Sequence, residues 1–154
     1  MSRLSGSHSR YSMAMTPIAG PGKPSLGAQR RARVKVDQFV VNVNSEQPEK
    51  LITFYRDIVG LTPNPDFGPG AFMAGSSTFI AFIVEGHSEV KGATKEPQRV
   101  LLNFLVSDLA SEETRLKGQG VEFVMSATKE PGFGTIATFV DPDGNYCQLM
   151  ELEL

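Results

Sequence analysis

At 154 residues, 40% of them hydrophobic and 21% charged, the chain has the size and composition of one globular domain able to bury a core of its own. No apolar run approaches the ~18–20 residues that a bilayer-spanning helix needs, so a membrane protein of that kind is excluded and a soluble one is expected. The net charge of −2 hides an asymmetry. Residues 1–36 carry seven bases and no acid, a balance of +7, while the remainder carries 8 bases and all 17 acids, a balance of −9. An acidic body does not suit nucleic acid, whose phosphates call for clustered Lys and Arg.

Residues 1–33 are rich in Ser, Gly, Pro and Arg and lack sustained apolar periodicity. Such a segment cannot bury enough surface to offset its ordering entropy, and it is expected to be a disordered basic tail. Three roles stay open for it. It has the character of an organelle transit peptide; its Arg30-Arg31-Ala32-Arg33 cluster could touch nucleic acid or an acidic surface; or it is dispensable, with Met13 and Met15 as alternative starts. A secretory signal is not expected, because no apolar core follows the basic residues.

The character changes at Val34, where a single domain over 34–154 is expected to begin. Residues 36–43 are rich in β-branched side chains and read as a strand. Pro48 suits the first turn of a helix, Leu51, Phe54, Tyr55 and Ile58 form its apolar stripe, and Gly60 ends it. A turn-rich stretch over 62–70 follows, then strands near 71–74 and at 78–84. Residues 85–98 read as a polar linker.

The plan then repeats. Residues 100–106 read as a strand, Asp108 as an N-cap, and 109–117 as a shorter helix closed by Gly118 and Gly120. Strands at 121–125, 135–140 and 145–152 complete the unit, with Asp141-Pro142-Asp143-Gly144 as the turn between the last two. Two βαβββ modules, at about 34–87 and 99–154, imply an α+β fold in which one curved mixed sheet carries its helices outside and encloses a central cleft. Cys147 lies among apolar residues and reads as buried packing rather than a nucleophile. As the lone cysteine it forms no internal disulfide, which fits a reducing, cytoplasmic setting; import into an organelle is the alternative if the tail is a transit peptide.

The run Phe54-Tyr55-Arg56-Asp57-Ile58-Val59-Gly60-Leu61, with Phe139-Val140-Asp141-Pro142-Asp143-Gly144-Asn145-Tyr146-Cys147-Gln148-Leu149 about 80 residues later, resembles the vicinal oxygen chelate superfamily. That group includes glyoxalase I, extradiol dioxygenases and bleomycin-type resistance proteins. The resemblance implies homodimers, and in metal-dependent members it implies ligands on the first and last strands of each module. Those positions fall on Gln38, Ala81, Leu101 and Gln148. Gln38 is reached by counting back from Val43 across a strand-to-helix turn taken as two residues longer than usual. Two neutral amides, a methyl and a leucine cannot repay the dehydration of a divalent transition metal, so no metal and no other cofactor is expected. His8 in the tail and His87 in the linker are poor substitutes.

Strand alternation supplies the cleft lining, because side chains two apart share a face. Gln38, Val40, Asn42, Phe79 and Ala81 are expected from the first module, with Phe39, Val41 and Val43 packed on the helix. Leu101, Asn103, Tyr146, Gln148 and Met150 are expected from the second. The resemblance adds the Pro131-Gly132-Phe133-Gly134 loop at the border. A mainly apolar hollow with a few neutral hydrogen-bonding groups suits a small-molecule site, although the same residues could simply fill the interior with their amides paired. The expected function is metal-free binding of an apolar or aromatic small molecule by a homodimer that engages neither nucleic acid nor membrane. The alternative is an enzyme of glyoxalase or dioxygenase type (lyase, isomerase or oxygenase) with an atypical active site and an unidentified catalytic group. Since residues 1–33 carry none of the core-forming pattern, their deletion should leave the melting temperature unchanged; a fall of several degrees would show that the segment is docked.

Overall fold

A computed structural model describes residues 34–73 and 75–153. The tail expected to be disordered, with His8 and the Arg30–Arg33 cluster, and the strand end at Ala74 lie outside the described residues. From Val36 onward the chain forms one compact unit. Its strands are β1 (Val41–Ser45), β2 (Ala71–Met73), β3 (Ile80–Gly86), β4 (Leu102–Leu105), β5 (Phe123–Glu130), β6 (Gly134–Val140) and β7 (Tyr146–Leu152). The helices are α1 (Pro48–Thr53), continued by a π-helical turn over Phe54–Val59, and α2 (Leu109–Gly118).

The α+β class and the two modules stand, and the strands form two mixed sheets, one per module. The first is ordered β1-β3-β2 and the second β4-β7-β6-β5. In each, the opening strand runs parallel to the closing one, β1 with β3 and β4 with β7. The first sheet has one strand fewer because the stretch before β2 touches it only through the bridge Pro63–Phe72. A proline there has no N–H to extend a ladder.

The first strand lies further along the chain than its composition predicts. It occupies 41–45 rather than 36–43, because pairing starts with Val41 against Phe82 and runs to Ser45 against Gly86. Val41 and Val43 pack on the core, as alternation requires. Phe39, expected beside them, is 79% exposed. Only Glu46 and Gln47 separate β1 from Pro48, so the longer strand-to-helix turn does not exist. At the far end of the helix Gly60 takes φ 88°, which lets its N–H and that of Leu61 both reach the carbonyl of Tyr55. The Pro131–Gly134 stretch is the tight turn of the β5–β6 hairpin, with Phe133 N–H donating to Glu130.

Both sheets share one core. Leu51, Ile52 and Tyr55 meet Phe72, Phe82 and Val84 of the first module, and Leu109, Leu116, Ala137, Phe139, Cys147 and Leu149 of the second. Each such Leu or Phe contributes about 1.5–3 kcal/mol by leaving water. Tyr55 joins the two halves: its ring centroid lies 5.0 Å from Phe82 and 6.5 Å from Phe104. Its hydroxyl donates to Asp141 Oδ2 at 2.7 Å and lies 3.5 Å from Cys147 Sγ. Asp141 also holds its own turn, as expected, accepting from the N–H groups of Asp143 and Asn145 and from the Asn145 side-chain amide.

Burial, then the neighbouring Cys147 and Asp141, push the Tyr55 hydroxyl well above its ordinary pKa. Burial likewise raises the Cys147 thiol to about 12. Both groups lose their protons more readily in the unfolded chain, so the stability they confer is complete below pH about 9 and falls as the pH rises toward about 12. Cys147→Ala should flatten part of that alkaline decline. Tyr55→Phe should lower stability by about 1–3 kcal/mol at neutral pH, because one acceptor site of a buried carboxylate loses its donor; urea midpoints across a pH series measure both effects.

Candidate functional site

Of the ten residues singled out by alternation, Asn42, Ala81, Asn103, Tyr146, Gln148 and Met150 lie on strands, and Gln38, Val40, Phe79 and Leu101 lie just ahead of one. On the second sheet, register places Asn103 beside Gln148 and Gln148 beside Thr138, a polar row across β4, β7 and β6. Tyr146 and Val140 lie in the row on one side of it, with Leu101 just ahead of β4, while Leu105, Met150 and Ile136 form the row on the other. Gln148 Nε2 donates to Thr138 Oγ1 at 3.0 Å. Leu105 is 65% exposed, Asn103 exposed, and Tyr146, Gln148 and Met150 half-buried.

On the first module the expected residues are less gathered. Gln38 lies ahead of β1, exposed, with its Nε2 donating to the carbonyl of Ile80. Val40 is half-buried at the entry to β1. Asn42 is exposed and donates to Glu85 Oε2 at 3.1 Å. Phe79, 66% exposed, precedes β3, and Ala81 is half-buried within it.

A cleft of about 840 Å3 opens where the free edge of β4 meets the β2–β3 hairpin, the end of the π-helical turn and α2. Of the ten residues predicted to line a cleft, Ala81 and Asn103 border this one. Its walls are mainly hydrocarbon, with Leu61, Met73, Phe82, Phe104 and Leu149 among them. Asn103 and Leu105 belong both to this cleft and to the outward face of the second sheet, so the two surfaces are continuous.

Arg115 and Glu112, which alternation on strands cannot reach, also border the cleft. The Arg115 guanidinium is already engaged: Nε donates to Glu112, Nη1 to the carbonyl of Ile58 at 2.7 Å, and Nη2 to that of Val59 at 3.1 Å. It therefore caps the π-helical turn of the first module from α2 of the second, and offers little charge to a ligand. The only sequence signal for this role is a base one turn after an acid on a helix, which usually marks a solvated pair.

No set of three or more His, Cys, Asp or Glu among the described residues is gathered as a metal would need. The four positions to which the resemblance assigned ligands hold Gln38, Ala81, Leu101 and Gln148, which offer at most two neutral amide oxygens; each amide nitrogen donates one bond to a protein acceptor. With β1 ending at Ser45, counting across the ordinary turn moves the first position from Gln38 to Val40, which has no donor atom. These residues do not fit a divalent transition metal. His87 is exposed, and its Nδ1 accepts the N–H of Glu89 within a turn.

A family model for the Glyoxalase/Bleomycin resistance protein/Dioxygenase superfamily matches residues 35–149, and the chain belongs to that superfamily. No curated protein matches the sequence significantly. Among solved structures, the chain is similar to TnmS3, an antibiotic binding protein from Streptomyces sp. CB03234, at 25% identity and TM-score 0.55, over 79% of this chain and 98% of that one. It is also similar to a glyoxalase/dioxygenase from Nostoc punctiforme (16%, TM-score 0.61, 75% and 90%) and to lactoylglutathione lyase from Agrobacterium tumefaciens (13%, TM-score 0.56, 77% and 96%). These last two likenesses concern the fold.

Replacing Arg115 by Met keeps the length of the side chain but removes its donors. The carbonyls of Ile58 and Val59 can turn to water, so the expected loss is about 1 kcal/mol, and amide exchange should rise locally around residues 54–61 while the global transition barely moves.

Proposed function

We propose that this protein binds an apolar or aromatic small molecule, without a metal, and acts as a homodimer. The observation that carries the reading is the cleft of about 840 Å3, walled mainly by hydrocarbon and continuous with a sheet face whose polar groups are neutral amides and hydroxyls. The similarity to an antibiotic binding protein supports it. A metal-dependent reaction of glyoxalase or dioxygenase type lacks support from the side chains, since the positions that would ligate offer no charged or imidazole donor.

The case for a second copy rests on the two opening strands. Ser45 accepts the N–H of His87, so Val41, Val43 and Ser45 turn their main-chain groups toward β3, and Asn42 and Asn44 turn theirs to a free edge. Likewise Val106 donates to Met150, which leaves the main-chain groups of Asn103 and Leu105 at the free edge of β4. A twofold partner that sets its β4 edge against this β1, and its β1 against this β4, removes all four edges at once. No described helix is long and apolar enough to cross a membrane, and a reducing compartment, the cytoplasm, suits the free buried thiol of Cys147.

Light scattering should give twice the chain mass, and Asn44→Pro, which deletes an edge N–H without touching the core, should shift the protein toward monomer. A wild type that stays strictly monomeric at tens of micromolar would remove the dimer. Ni2+, Zn2+ and Mn2+ should produce no specific thermal shift; stoichiometric metal in the purified protein would reverse the metal-free reading.

A further inference from the structure

We propose that the ligand is an uncharged, flat molecule that rests on the outward face of the second sheet and donates a hydrogen bond to Gln148. This rests on the binding reading above and deepens it by naming the ligand class. The face is built from three rows in register. Asn103, Gln148 and Thr138 form the middle row, and the rows of Tyr146 with Val140 and of Leu105 with Met150 and Ile136 flank it. At ordinary strand spacings this surface measures about 10 Å across β4, β7 and β6 and about 13 Å along them, the footprint of a small fused-ring system.

No member of the three rows is charged. The two acids adjacent to row members in sequence both turn away from it: Asp141 accepts the Tyr55 hydroxyl in the core, and Glu151 Oε2 accepts the N–H of Leu109 at the start of α2. An ionic ligand group settling here would lose water and gain no counter-charge, which is costly in an apolar setting. A neutral ring system loses nothing comparable and covers the exposed Leu105.

The polarity of the middle row is set by Thr138. Thr138 is 4% exposed, and its Oγ1 takes one N–H of Gln148. That bond orients the amide and leaves Oε1, which has no donor among the described residues, as its acceptor for recognition, beside the second N–H of Nε2. Oε1 can only accept. The ligand must therefore bring an O–H or N–H, and a ligand with an ether or carbonyl at that point would leave the acceptor dry and unpaired. Asn103 has no side-chain hydrogen bond among the described residues and can serve as either donor or acceptor to a second group.

Four pyrene probes separate these requirements by fluorescence titration against the full chain: 1-hydroxypyrene, 1-methoxypyrene, 1-pyrenesulfonate and 1-pyrenemethylammonium. The hydroxyl compound should bind about tenfold more tightly than the methyl ether and more than about tenfold more tightly than either ion, the size expected of one forgone hydrogen bond. Gln148→Leu should bring the hydroxyl-to-ether ratio to about one while leaving the affinity for the ether in place. Thr138→Val, which frees the amide to rotate, should lower the ratio without abolishing binding. Equal binding of the ions, or a ratio that survives Gln148→Leu, overturns the ligand class and leaves the small-molecule reading standing. Binding of none of the four overturns both. If Leu105→Glu dissolves a dimer while pyrene binding persists unchanged, the face is covered by the second copy and the proposal also fails.

Discussion

The buried hydrogen bond from Tyr55 to Asp141 is the constraint on which the rest of this structure depends. Its two ends belong to different modules, 86 positions apart in the chain. Asp141 already holds the turn between β6 and β7 through three other donors, so it is a fixed anchor rather than a mobile one. Tyr55 can reach that anchor only if the π-helical turn that continues α1 lies against both modules, as its ring does against Phe82 and Phe104. The two inner faces thereby share a common core, and the outward faces stay open. Lesser ties reinforce the same join. Arg115 grips the carbonyls at the end of the π-helical turn. Glu46 accepts the N–H of Gly92 in the linker, and Thr94, two residues on, donates to the carbonyl of Asp143.

What could be read from the sequence was whatever local periodicity encodes. The stripe Leu51, Phe54, Tyr55 and Ile58 implied a helix and its buried face, and Tyr55 is indeed at the center of the core. Alternation along 145–152 separated Cys147 and Leu149 from Tyr146, Gln148 and Met150, and the structure puts the first pair in the core and the other three half-exposed on the opposite face. Misreadings arose where a partner elsewhere in the chain decides. Residues 36–40 have strand-like composition, but β3 starts at Ile80 and pairs with β1 only from Phe82 onward, so Phe39 has no ladder to join. The π-helical turn and the role of Arg115 follow from the meeting of two helices more than fifty residues apart, which no short window contains.

The candidate site divides along the same line. Asn103 and Gln148 were identifiable because a one-residue slip would have driven Phe104 and Leu149 out of the core. The large cleft was not identifiable, since it lies at the junction between modules and borrows Leu61, Met73 and Leu116 from a turn, a hairpin and a helix. Of the ten residues predicted for the lining, Ala81 and Asn103 border this cleft, because strand alternation says which way a side chain points but not what faces it.

The amides on the outward face suit both environments that the binding proposal would give it. In the free chain it meets water, where Asn103 and Gln148 are well solvated and separate rows of hydrocarbon that would otherwise fuse into one apolar patch. Under the proposed ligand or second copy it would be dry. Carboxylates or ammonium groups in the same places would then forfeit hydration worth several kcal/mol each unless paired. An amide forfeits about 1–3 kcal/mol, and recovers it by a single hydrogen bond. Thr138 already takes one N–H of Gln148 inside the sheet, so a cover over the middle row has only the rest of that amide and the Asn103 amide to satisfy. Neutral amides between apolar rows are therefore stable in water and less costly to cover than a charged row in the same position would be.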